Sequence, residues 1–229
     1  METKTLFQKL DSTFSNLVKD LGHIENDIFF YKEKAEKWSI AEELQHLTLS
    51  ILPINNLLSQ PIAVTERWGP SKRKSRNMEV FLNDYKKATM GREWKAFPPF
   101  VPKTENENPN YTALHHTSDQ LKIKDFYKLT GNQIQRLRDL FPITGTTRKK
   151  DIIQQFSEQS TMLLAISKQM DDKQMDDIQL PLPYIGLVTF KEALYFTLDH
   201  TWHHYNSIII ATKENDQLGF GRNITNTEF

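Results

Sequence analysis

Two histidines one helical turn apart, His200 and His204, are the residues whose type and spacing most directly suggest chemistry. They lie in TFKEALYFTLDHTWHHYNSIIIATK, Thr189 to Lys213. That stretch opens on Thr189-Phe190-Lys191-Glu192, a Thr-x-x-Glu capping box, and no Pro or Gly interrupts it. One helix of about six to seven turns is predicted. At about 100° per residue, Ala193, Thr197, His200, His204, Ile208 and Ala211 share one stripe. Imidazoles at i and i+4 project side by side and can hold a single divalent cation. Small neighbours on the stripe leave room for an ion or ligand. The same spacing also occurs in histidines that are simply buried and hydrogen-bonded, and the pair alone does not decide between the two. His203 lies about 60° off the stripe.

A second stretch carries a histidine in a comparable setting. Trp38-Ser39-Ile40-Ala41-Glu42-Glu43-Leu44-Gln45-His46-Leu47 starts a helix, with Ser39 and Glu42 as its capping box. His46 follows two turns in, on a face with Ser39, Glu42, Glu43, Leu49, Ser50 and Leu57. Glu42 is accounted for as a cap; its alternative role is a base, or an outer-sphere partner, near a metal held by His46. The remaining histidines read as surface residues: His23 at a helix boundary, and His115-His116 as an adjacent pair in an irregular stretch.

Amphipathic helices are expected to position these side chains. Leu6, Leu10, Phe14, Leu17, Leu21, Ile24 and Ile28 recur at helical steps from Thr5 to about Tyr31, with a break expected near Gly22-His23. Pro53 is expected to kink or end the His46 helix. Further helices are predicted over Met78–Thr89, Leu121–Leu140 and Thr147–Met170. Leu180 to Leu187, with two prolines, reads as an extended connection, and no segment shows the alternation of a strand strongly. Between Gln60 and Asn110 six prolines, with Gly69 among them, punctuate the chain. The aromatics Trp68, Trp94, Phe97 and Phe100 there are expected to pack on the helices and cover a pocket. The basic run Ser71-Lys72-Arg73-Lys74-Ser75-Arg76 reads as a solvated loop. Beyond Lys213 the polar residues read as a loosely ordered tail.

Composition narrows the function classes. Lys plus Arg and Asp plus Glu are both 29 in 229 residues, a net charge of zero, which gives no support for nucleic-acid binding. With no cysteine, disulfides, Cys-ligated zinc and a cysteine nucleophile are excluded. The first residues lack the pattern of a signal peptide, and no apolar run reaches the roughly 18 residues of a membrane span. A cytoplasmic protein without a membrane partner is expected. No phosphate-binding Gly-rich loop is present.

With these stretches in view, the sequence resembles the DinB/YfiT-like superfamily of metal-dependent enzymes. The resemblance is carried by Trp38-Ser39 leading through Glu42 to His46-Leu47, by Tyr184-Ile185-Gly186-Leu187-Val188-Thr189-Phe190-Lys191-Glu192-Ala193-Leu194, and by His200-x-x-His203-His204, the family's HxxHH pattern. It covers about residues 1–60 and 145–213. It implies an all-α fold, a four-helix bundle arranged up-down-down-up, with an irregular, partly helical insertion (about 61–144) between the second and third core helices. A single domain over about 1–213 and a tail over 214–229 follow. It also implies one divalent metal held by His46, His200 and His204, with zinc or nickel suited to imidazole ligands. Members of the family include thiol-dependent S-transferases, so a small-molecule substrate and a low-molecular-weight thiol are implied. Homodimers are common in it. The family carries a histidine at the position of His203 too, where a role as outer-sphere or substrate contact competes with helix packing. Two departures stand out: Asn206-Ser207 replaces the Gly-Gln pair that follows HxxHH in many members, and the insertion is long. The contrasting reading is a metal-binding or interaction bundle without turnover.

Overall fold

A computed structural model describes residues 1–34, 37–90, 96, 98–105 and 138–217. The first helix, α1 (Thr3–His23), buries Leu6, Leu10, Thr13, Phe14, Leu17 and Leu21 on one stripe. It breaks after His23, and α2 (Asn26–Phe30) resumes with Ile28 and Phe29 buried. Ser39 then caps α3 (Ile40–Leu58) through the full capping box with Glu42. Of the expected kink or end at Pro53, the end is not found: α3 runs on through the proline to Leu58. Proline in a helix interior costs about 3 kcal/mol. Burial of Ile51, Leu52, Ile54 and Leu58, at roughly 1.5–3 kcal/mol per fully buried side chain, offsets that.

Between the second and third long helices lie α4 (Pro61–Trp68), with proline at its first turn, and α5 (Met78–Thr89), capped by Asn77. The α5 bounds match the expectation. A 3₁₀ turn follows at Pro98–Phe100. The helix expected at Leu121–Leu140 lies almost wholly outside the described residues, as do His115, His116, Trp94 and Phe97. The chain continues through α6 (Lys149–Ser167) and the short α7 (Asp172–Asp177).

Residues read as an extended connection form a small antiparallel hairpin, β1 (Gln179–Leu182) and β2 (Gly186–Thr189), paired Gln179 to Thr189 through Leu182 to Gly186. Strands of four residues, one holding Pro181, leave no room for a visible alternation. Two positive-φ residues, Tyr184 at 70° and Gly186 at 85°, close the turn. The last helix, α8 (Phe190–Gln217), runs past Lys213 into residues expected to be tail. Among the described residues the protein is all-α apart from this hairpin.

Four helices form the bundle. α3 packs most extensively against α6, α1 against α6 and α8, and α8 also against α3. Consecutive long helices α1 and α3 therefore sit across a diagonal, as do α6 and α8. Phe14 and Phe156 meet edge to face at 5.7 Å in the core between α1 and α6.

The start of α8 is pinned from outside the bundle. Glu192, fully buried, accepts from the Thr189 backbone N–H at 3.1 Å, closing the capping box. Its two oxygens also take a bidentate pair from Arg73 at 2.6 Å and bonds from Arg76 at 2.8 and 3.2 Å. Arg76 reaches on to Asp84 of α5 at 2.9 Å. The basic run is thus only partly the solvated loop that its composition predicts. Lys72 and Lys74 are exposed, while Arg73 and Arg76 clamp the helix start. A buried carboxylate needs such partners, and this one draws them from 116 and 119 residues away.

Among the described residues no single helix is long and apolar enough to cross a membrane. α3 and α4 pass that test only as a pair bent by 89°, and α3 is buried along most of its length.

Candidate metal centre

Facing stripes of α3 and α8 bring three imidazoles together. His46 Nε2 lies 3.0 Å from His200 Nε2 across 154 positions of sequence. His204 Nε2 lies 3.0 Å from the same His200 nitrogen. The three ligand atoms all fall within 4.8 Å of one another. Among the described residues no carboxylate or further imidazole joins the group.

The far side of two rings is held by acceptors. His46 Nδ1–H donates to the Phe100 carbonyl at 2.7 Å. A carbonyl can only accept, so the proton of a neutral His46 sits on Nδ1 and the Nε2 lone pair faces the cluster. His204 Nδ1 hydrogen-bonds Glu43 Oε2. Where Glu43 is ionised it can only accept, which turns the His204 Nε2 lone pair to the same point. Ser207 Oγ donates to the other Glu43 oxygen at 3.4 Å. Aromatic rings wall the cluster. Trp38 lies 4.9 Å from His46 and stacks on His204 at 6.2 Å. Phe196 stacks on His200 at 4.9 Å and is itself met by Tyr85 at 5.1 Å.

Burial keeps the rings neutral. It pushes the imidazoles of His46 and His204 down to about 3, helped by the neighbouring histidines, and takes His200 well below the ordinary range for the same reason. Glu43 goes the other way: burial raises its carboxyl to about 7 against the lowering effect of His46 and His203. With His204 neutral, the contact between Glu43 and His204 is a hydrogen bond rather than an ion pair.

The sequence-derived ligands His46, His200 and His204 are brought together, and the three could hold a metal ion. His203 is exposed and outside the group, its ring 5.1 Å from that of His204. Glu42 turns away. One of its oxygens accepts from Ser39 N at 2.8 Å, and the other from Lys32 Nζ at 2.8 Å. Glu42→Ala is accordingly expected to cost about 1–2 kcal/mol of stability in chemical denaturation, with metal content unchanged. Loss of metal or of turnover at full metal content would contradict that assignment. Glu43, next in sequence, is the carboxylate that reaches the cluster. The signal for it was present: both glutamates share the His46 face, and the capping box uses up Glu42. The Phe100 carbonyl left no such signal, because any residue supplies one. Phe100 does bring the insertion to the site, while Trp68 sits by the hairpin, its carbonyl accepting from Gln179 at 2.7 Å.

The donor set fits a divalent metal. A tetrahedral ion with bonds of about 2.0–2.1 Å spaces its ligands about 3.4 Å apart, and 3.0 Å lies a few tenths below that. A sequence model of the DinB superfamily matches residues 6–208. The chain belongs to that superfamily. No curated protein and no solved structure matches it.

Proposed function

We propose that this protein is a metal-dependent enzyme in which His46, His200 and His204 hold one divalent ion, zinc or nickel, and that it turns a water or small-thiol nucleophile on a small-molecule substrate. One observation carries the reading. Two histidines have their protons drawn to Nδ1 by Phe100 O and Glu43, so that two lone pairs and a third ring nitrogen point at one place. Nitrogens gathered in this way offer a site for a positive centre among them. A divalent ion bound there supplies Lewis-acid chemistry, lowering the pKa of a water or thiol so that it ionises near neutral pH.

The chain's own residues do the rest. His46 and His204, which are buried, and the half-buried His200 remain neutral donors. Trp38 and Phe196 cover the imidazole faces and keep bulk water from them. Since the chain has no cysteine, a thiol nucleophile must arrive as a cosubstrate. No nucleic-acid or membrane partner forms part of the reading; a homodimer does, on the resemblance alone.

A second reading, a metal-binding bundle without turnover, is favoured by one observation: Glu42 is engaged in its cap and Glu43 in His204 Nδ1, so neither faces the Nε2 side as a base. The test is a screen of the metal-loaded protein against esters, amides and pairs of small thiol with electrophile. Turnover that tracks metal occupancy supports the enzyme. Full occupancy with no turnover in all three classes favours the second reading.

A further inference from the structure

We infer that Glu43 is a positioning residue of the metal centre, fixing through Nδ1 the tautomer and ring direction with which His204 meets the ion. The inference rests on the metal reading above and adds to it which residue tunes the site. Three features of the geometry support it. First, Glu43 comes from α3 and His204 from α8, the two helices that supply the ligands, so their hydrogen bond ties the halves of the site together. Second, the carboxylate is itself held: Ser207, three residues after His204, donates to its other oxygen at 3.4 Å. Third, the side chains of Glu43 and His204 are 15% and 10% exposed, so water competes poorly for the bond.

A neutral imidazole without an acceptor at Nδ1 divides its proton between the two nitrogens, and the form with Nε2–H cannot bind a metal through Nε2. A carboxylate at Nδ1 removes that form and makes the ligating nitrogen more basic. His46 receives the same service from the Phe100 carbonyl, which no substitution can delete. His200 has no such acceptor among the described residues. Glu43 is therefore the point at which a side-chain change tunes the affinity of the whole site. The carboxylate lies behind His204, on the side away from the converging Nε2 atoms, which makes it a partner of the ligand and not a fourth ligand.

The test uses the full chain and its Glu43→Ala and Glu43→Gln variants. Zinc affinity is measured by competition with a chromophoric chelator. The proton position on His204 is read by nitrogen-15 NMR of the metal-free protein. The visible band of the cobalt(II)-loaded protein reports ligand geometry. Glu43→Ala is expected to weaken zinc binding about 10–100-fold and to mix the His204 tautomers. Glu43→Gln still offers an acceptor; it is expected to keep Nδ1–H and the cobalt band, and to bind zinc with an affinity between those of wild type and the alanine variant. Should Glu43→Ala not fold, Glu43→Leu fills similar space without an acceptor and must show the same two changes. Zinc affinity within about twofold of wild type and an unchanged His204 tautomer in the variant lacking the acceptor overturn the inference. The NMR arm separates its failure from that of the metal reading. A wild type that takes up no zinc sinks the metal reading, whereas metal-free wild type with His204 protonated on Nε2 sinks the role of Glu43 whatever the zinc result.

Discussion

Replacing His200 with alanine is expected to abolish metal binding while the helices stay folded. His200 Nε2 is the atom that approaches both other imidazoles, at 3.0 Å each. Its loss leaves His46 and His204 facing a gap with two donors, too few for a tight divalent site. The fall in zinc affinity should exceed the roughly 10–100-fold that loss of an outer-sphere partner brings. Helix content should hold, because alanine is the best helix former and the substitution lies mid-helix in α8. Stability offers an independent readout. A ligand at 100 times its Kd adds about 2.7 kcal/mol to a folded protein by linkage. Wild type should show a rise in Tm with zinc, and the variant should lose it. His203→Ala is the control: its side chain is exposed and outside the group of three, so the rise should persist.

Glu192→Ala is expected to give the largest loss of stability, about 3 kcal/mol at neutral pH. Removing one partner of a buried ion pair costs roughly 3–5 kcal/mol, of which a lost cap is about 1. The lower end applies because the Arg73 and Arg76 side chains are 42% and 25% exposed and can turn to water. The pH profile carries a second signature. Burial raises the Glu192 carboxyl, but Arg73, Arg76 and the backbone N–H groups of Arg76 and Thr189 outweigh burial and hold it at about 2. The unfolded value is about 4.3. A folded pKa below the unfolded one means that the contribution is fully present above about 4.3 and is lost as pH falls toward 2. Urea denaturation at pH 7 and at pH 3 should therefore show the gap between wild type and variant narrowing at the acid value. A constant gap would mean that the carboxylate charge contributes nothing.

Of the candidate site, the His200/His204 pair was legible from local periodicity, whereas the joining of His46 to it came only from the family resemblance. His200 and His204 share a helical face by spacing alone, and capping boxes at Ser39 and Thr189 mark where the two ligand helices begin. The break after His23 and the whole of α5 were readable for the same reason. What escaped depends on distant partners. Arg73 and Arg76 look like solvated charges until Glu192 is seen to be buried beside them. Pro53 looks like a helix end until the packing of α3 on α6 is known. Glu43 was on the correct face, but its role could be assigned only once α8 lay opposite.

The most direct test of the central claim is metal uptake by the purified chain. The protein is titrated with zinc, nickel and manganese, bound metal is counted by elemental analysis, and Tm is followed in parallel. One divalent ion per chain, with Tm rising as the site fills and both effects lost in His200→Ala, is the expected result. A chain that retains no metal after purification, takes up none of the three ions and shows no shift in Tm would contradict the account, leaving His46, His200 and His204 as buried histidines of a structural helical bundle.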